Sequence, residues 1–346
     1  MKKFIVFVLL LGVLGANAFA QLTFTGNVYA GIQMEIPYGN AQDGSPQENT
    51  IYLRHRREGA PVFNLTATFN RPNAGARLDT SFQADFVGGE ELSVNGVYAW
   101  VDFLNNTLRF TLGRISSPVW VAGLDPDHQW YFDKITGFRL LYDTPLPGLS
   151  VGAAFRVEGN NERQLFERAI LGVTYSSPMF NTFLAYNIGS NGHLLFGFNF
   201  LGIPDLAAGI QLRAAHLATW DDPGFGGMLE IVQRFGFRIT RPMELTLLAG
   251  QIFYAEPRGD FERRDAELFF TPGISYRLHP DLTASFSVEF RSADFFNYSR
   301  FITFNPMIEY QVHGGISFYA EYEFRLGKFI HETFHRISIG VNIGIF

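Results

Sequence analysis

The chain has 346 residues, of which 47% are hydrophobic, 17% charged and 16% aromatic, with 35 glycines and no cysteine. That apolar content excludes a disordered chain; a net charge of −6 argues against nucleic acid as a partner; a mean hydropathy of +0.04 argues against a bundle of membrane helices. Without cysteine there are no disulfides, thiolate metal sites, cysteine nucleophiles or lipidated cysteines.

The chain opens with Lys2 and Lys3, an apolar run from Phe4 to Ala16, and Ala18-Phe19-Ala20. A positive start, a short apolar core and a small-residue exit make residues 1–20 a secretory signal peptide. The run is shorter than the roughly 18 apolar residues a membrane helix needs. Residues 21–346 then form one domain, with Lys134 and Lys328 as its only lysines.

From Leu22 onward the sequence alternates. Leu22, Phe24, Val28, Ala30 and Ile32 share one parity, and Thr23, Thr25, Asn27 and Gln33 the other. Leu78, Phe82 and Ala84 oppose Arg77, Asp79, Ser81 and Gln83. Leu282 to Arg291 and Ile316 to Gly327 repeat the pattern. A period of two puts apolar side chains on one face of a strand and polar ones on the other. Tight turn signals, such as Pro72-Asn73-Ala74-Gly75, Asn105-Asn106, Ser177-Pro178, Arg241-Pro242 and His279-Pro280-Asp281, alternate with longer polar connections, among them 35–60, 116–136, 219–226 and 256–266. The pattern predicts about 16–18 strands, each long enough to cross a bilayer when tilted. The uncertain pair is 181–189 and 192–201, whose connection is short on the long-loop side.

An open sheet of that many long strands leaves exposed edges, and closure removes them. A closed barrel of this size is too wide for side chains to fill, so its polar face suits water and its apolar face suits lipid. Only helices and closed barrels satisfy every backbone group in hydrocarbon. The predicted fold class is therefore an all-β, closed transmembrane antiparallel barrel with short periplasmic turns and longer outer loops.

Two segments carry a resemblance. Val97-Tyr98-Ala99-Trp100-Val101-Asp102-Phe103 and Leu108-Arg109-Phe110-Thr111-Leu112-Gly113-Arg114 look like the strand–turn–strand-Gly-Arg segment of general porins. The alternating end Ile337 to Phe346 resembles the assembly signal of bacterial outer-membrane barrels, although its isoleucines lie on the parity opposite to Phe346. The resemblance implies an outer-membrane porin, a water-filled channel for passive diffusion of small hydrophilic solutes and ions. It also implies contact with outer-membrane lipid and the barrel-assembly machinery, a homotrimer, and a third outer loop (here 116–136) folded into the lumen.

With apolar parity facing lipid, Arg77, Arg109, Arg139, Asp79 and Asp102 point inward, and Arg54 and Arg56 lie near the outer mouth. Asp125, Asp127 and Asp133 sit in the third loop. Charged linings set ion preference, so the expected constriction is a field between these aspartates and the wall arginines. Tyr142, Tyr175, Tyr276 and Tyr310 share apolar parity near strand ends and suit an aromatic belt. Tyr29, Tyr98, Trp100 and Tyr319 have lumen parity but are scattered.

His331-Glu332-Thr333-Phe334-His335 matches H-E-x-x-H, which needs a helix and a third ligand to hold zinc. Here it precedes a terminal strand and leaves no room for either. There is no G-x-S-x-G and no P-loop, so neither a catalytic site nor a metal or cofactor is expected. Three alternatives stay open: a selective channel with a saturable site, a barrel enzyme and a surface adhesin.

Overall fold

The computed structural model describes residues 21–39, 45, 47–53, 62–85, 89–116, 120, 135–157, 169–188, 192–217, 227–254, 266–292, 300–312, 315–327 and 333–345. The expected signal segment, 1–20, and Phe346 lie outside them.

The described strands are β1 (Gln21–Pro37), β2 (Thr50–Tyr52), β3 (Val62–Arg71), β4 (Ala74–Asp85), β5 (Gly89–Phe103), β6 (Leu108–Ile115), β7 (Ile135–Asp143), β8 (Leu149–Arg156), β9 (Ala169–Ser176), β10 (Phe180–Asn187), β11 (His193–Ile203), β12 (Leu206–Ala215), β13 (Met228–Thr240), β14 (Met243–Tyr254), β15 (Ala266–His279), β16 (Leu282–Ser292), β17 (Arg300–Val312), β18 (Ile316–Gly327) and β19 (Phe334–Ile345). β2 and β3 both pair with β1, at Gln33–Glu35 and at Gln21–Tyr29, so they share one position. β1 also pairs with β19 from Gly26 to Pro37, which closes the sheet. The nineteen segments therefore fill eighteen positions of one antiparallel barrel. β10 and β11 are distinct strands joined in register from Phe180↔Phe200 to Asn187↔His193, so the higher expected count holds.

The distribution of polarity is the reverse of a soluble protein's. Phe24, Ile32, Leu112, Leu171, Phe286, Phe318 and Ile339 point outward and are 42–61% exposed. Thr111, Arg139, Gln211, Arg213, Glu230, Thr303, Ser317 and Ser338 point inward and are buried. A sandwich would hide the first set against a second sheet. A continuous exposed apolar band calls for lipid.

The turns follow local chemistry. Leu104, Asn105 and Asn106 all have positive φ (51°, 57° and 69°) in the β5–β6 turn, a region asparagine tolerates better than most residues. At the β9–β10 turn the amides of Met179 and Phe180 donate to Ser177 Oγ at 3.3 and 3.1 Å. The short turns share one end of the barrel, the turn end, where β1 begins and β19 finishes; the longer connections share the other, the loop end.

Several aromatic rings on the inner face lie flat over a glycine of an adjacent strand: Trp100 over Gly75, Phe183 over Gly197, Phe269 over Gly250 and Tyr319 over Gly340. A Cβ at any of these glycines would fall inside the ring. Gly250→Val is therefore expected to displace Phe269 and to cost about 1–3 kcal/mol, the usual penalty of overpacking. The temperature at which the detergent-folded barrel loses its compact electrophoretic mobility measures it, and an unchanged midpoint would contradict the packing.

Candidate functional site in the barrel interior

Cross-strand register fixes which side chains share the lumen. On β5, β6 and β7 the inward sets are Tyr98–Trp100–Asp102, Arg109–Thr111–Gly113–Ile115 and Ile135–Gly137–Arg139–Leu141–Asp143. Arg77, Arg109, Arg139, Asp79 and Asp102 all belong to the inner face, as expected from parity.

The wall arginines are committed to neighbouring groups. Arg109 makes a forked pair with Asp102, Nε–Oδ1 2.7 Å and Nη2–Oδ2 2.9 Å, near the turn end. Asp79 accepts from Arg77 Nε at 2.8 and 3.0 Å, from Thr66 Oγ1 at 2.6 Å and from Ser116 Oγ. Arg139 is only 5% exposed, opposite Thr111 and Ala154. Across the closure, Arg336 bridges Glu35 (2.8 Å) and Glu323 (2.7 Å), and Arg325 lies between the rings of Phe301 and Phe334, 4.5 and 4.8 Å from their centroids. Glu35 and Arg336 escaped the reading of the sequence, although extending the β19 parity back from Ser338 would have placed Arg336 inside.

Arg54, Arg56, Asp125, Asp127 and Asp133 lie outside the described residues, as do His331 and Glu332. The other half of the H-E-x-x-H match is described. Phe334 and His335 open β19, a strand rather than a helix, and His335 faces outward beside Phe324, its ring 4.6 Å away. Among the described residues no group of three His, Asp or Glu side chains is arranged to hold a metal ion. Tyr142, Tyr175, Tyr276 and Tyr310 point outward at the turn end, where a belt would stand.

The feature the sequence reading missed is Trp120. It follows β6 by five residues and is 1% exposed, buried against the inner wall. Ile115, Ile135, Ala154, Ile170, Ala185 and Leu195, inner-face residues of β6 to β11, make an apolar strip around it. The indole lies over Gly172 and reaches Gly152, cross-strand partners midway along β9 and β8. Any side chain at Gly172 would overlap the ring. On the other side, Ser116 is drawn to Asp79 across Gly96, where a Cβ would also collide. A bulge at Asn95 brings Gly96 opposite Asp79. The chain leaving β6 is thus held at Ser116 and again at Trp120, inside the barrel. The signal was legible in principle: the apolar stretch Val119-Trp120-Val121 within the 116–136 connection, followed along the chain by strands that carry apolar residues on both parities.

Several solved structures share this architecture at low sequence identity. OccK2 (OpdF) of Pseudomonas aeruginosa, crystallised with glucuronate, superposes with a TM-score of 0.65 at 10% identity, over 94% of this chain and 98% of that one. OccAB4 of Acinetobacter baumannii gives 0.62 at 10% identity, over 95% and 99%. The anion-selective porin of Comamonas acidovorans gives 0.56 at 11% identity, over 94% and 100%. The fold is that of outer-membrane channel barrels. No protein-family model matches the sequence and no curated protein matches it. Against these barrels the inward placement of Trp120 puts a side chain of the β6–β7 connection within the channel fold's lumen.

Proposed function

We propose that the mature chain is an outer-membrane channel through which small hydrophilic solutes and ions diffuse, exported by the signal peptide at residues 1–20 and catalysing no reaction. The observation that carries this reading is the inverted polarity of a closed eighteen-position sheet, with exposed apolar side chains outside and buried charges inside. Such a wall suits lipid on one side and water on the other. The barrel-assembly machinery and a homotrimeric state belong to the same proposal.

Within the lumen the constriction is assigned to the connection held by Trp120, with Asp125, Asp127 and Asp133 facing a basic wall that includes Arg54 and Arg56. Arg77 and Arg109 contribute less to that field, because each is already balanced by a carboxylate at under 3 Å. A ring of opposed charge of this kind sets ion preference.

Single-channel recording of the detergent-purified protein in a planar bilayer tests the reading. Stepwise currents that scale with salt concentration are expected, with a reversal potential in a salt gradient that shifts when Asp125 and Asp127 are changed to arginine. A folded barrel that inserts and passes no current would overturn diffusion through an open lumen.

A further inference from the structure

Among the described residues most arginines of the inner face have a carboxylate partner, but at the turn end of β13–β16 Arg277 and the turn residue Arg241 do not. Arg238 lies two residues before the end of β13, Arg241 sits in the following turn and Arg277 lies two residues before the end of β15. The three line one cavity of about 340 Å³ together with Ser275, Thr283 and Glu244. Among the described residues Arg241 and Arg277 have no acidic partner within ion-pair distance, whereas Arg77, Arg109, Arg213 and Arg336 hold theirs at 2.7–2.9 Å. Arg238 reaches only Asp205, at 3.7 Å.

We propose that this cavity is a binding site for a small oxyanion-bearing solute, carrying phosphate or carboxylate, at the inner mouth of the channel. The proposal rests on the channel reading. Three guanidinium groups from separate elements converge there, and a planar guanidinium makes forked, charge-assisted bonds to just such oxygens. The hydroxyls of Ser275 and Thr283 add neutral donors to the same lining. The volume lies at the small end of small-molecule sites.

Opposing charges are few and accounted for. Among the described residues Glu244 is the one carboxylate of the lining, and it stands opposite Arg238 in register. Asp205 lies on the far side of Arg238, and Glu309 stands on β17 opposite Thr283. Asp281 in the next turn lies 3.7 Å from His279. Among the described residues of the cavity itself, guanidinium groups outnumber carboxylates three to one. Arg238, Glu244, Ser275, Arg277 and Thr283 all have inner-face parity, so the site opens to the lumen and not to lipid. A free solute, not a lipid headgroup, is therefore the occupant.

Calorimetric titration of the detergent-folded barrel with inorganic phosphate, and separately with succinate, tests the site without requiring current. Saturable binding of one or both, weakened at least tenfold in Arg241→Ser/Arg277→Ser, is the expected result, and the stronger ligand identifies the oxyanion class. Arg241→Lys/Arg277→Lys keeps the charge but not the fork and is expected to fall between. In the bilayer, phosphate or succinate added on the turn side should reduce chloride current at lower concentration than when added on the loop side. Absence of binding, or equal binding by a folded double serine variant, overturns the site. A barrel that binds phosphate through these arginines yet passes no current instead overturns the channel reading and leaves the site standing.

Discussion

Trp120→Ala is expected to enlarge the unit conductance of the channel and to broaden its current noise, while leaving the barrel folded. The indole is 1% exposed and occupies a seat that nothing else in the described residues fills. Removing a buried tryptophan typically costs about 3–5 kcal/mol. Here the loss falls mainly on the docking of one connection, because the sheet's own hydrogen bonds do not pass through Trp120. The connection would keep its hold at Ser116 and Asp79 and lose the second, so it would sample positions nearer the wall and nearer the axis. Gly172→Leu should give the same phenotype from the opposite side, since a leucine there takes the volume of the ring. Tryptophan fluorescence supplies the second readout. With four tryptophans in the chain, loss of a buried, blue-shifted component in Gly172→Leu but not in a control variant would locate the change. Wild-type conductance in both Trp120→Ala and Gly172→Leu would show that Trp120 does not position the constriction.

The two variants also explain what the sequence could and could not carry. Period-two alternation is a local property, and it made the barrel, its outward band and the inward placement of Arg77, Asp79, Asp102, Arg109 and Arg139 legible. Closure was legible too, because a sheet that long has no other way to remove its edges. What alternation cannot encode is contact between distant strands across the lumen. Ile170, Ala185 and Leu195 break the polar-inside rule on three successive strands. Read singly, each is noise in a pattern; together with Gly152 and Gly172 they form the seat of an indole from a connection thirty or more residues earlier in the chain. Pairing was equally hidden. Asp102 and Arg109 face one another because the β5–β6 turn sets their register, and that commits Arg109 to a local partner instead of the open lumen.

Glu230→Ala is expected to destabilise the barrel by about 3–5 kcal/mol, the usual cost of stripping one member from a buried ion pair. Arg213 Nε lies 2.9 Å from Glu230 Oε2, with the two side chains 2% and 1% exposed. They are cross-strand partners on the inner face of β12 and β13, beside Gln211, Ala215, Met228 and Val232, all buried. His193 on β11 is fully buried as well, its ring 5.0 Å from that of His216. This sector of the wall is therefore dry, unlike the exposed arginines at the turn end. In so buried a sector little water can replace the lost carboxylate beside the guanidinium, so removing one member of the pair costs more than it would at the surface. Removing both charges with residues of similar volume is a different experiment, because the desolvation cost disappears along with the attraction. Arg213→Met/Glu230→Leu should accordingly recover most of the loss seen in Glu230→Ala. Thermal midpoints of the detergent-folded single and double variants measure the difference. If the double variant were as unstable as the single one, mutual desolvation would not be the dominant cost, and the polar bonds that each side chain makes beyond the pair would carry the stability.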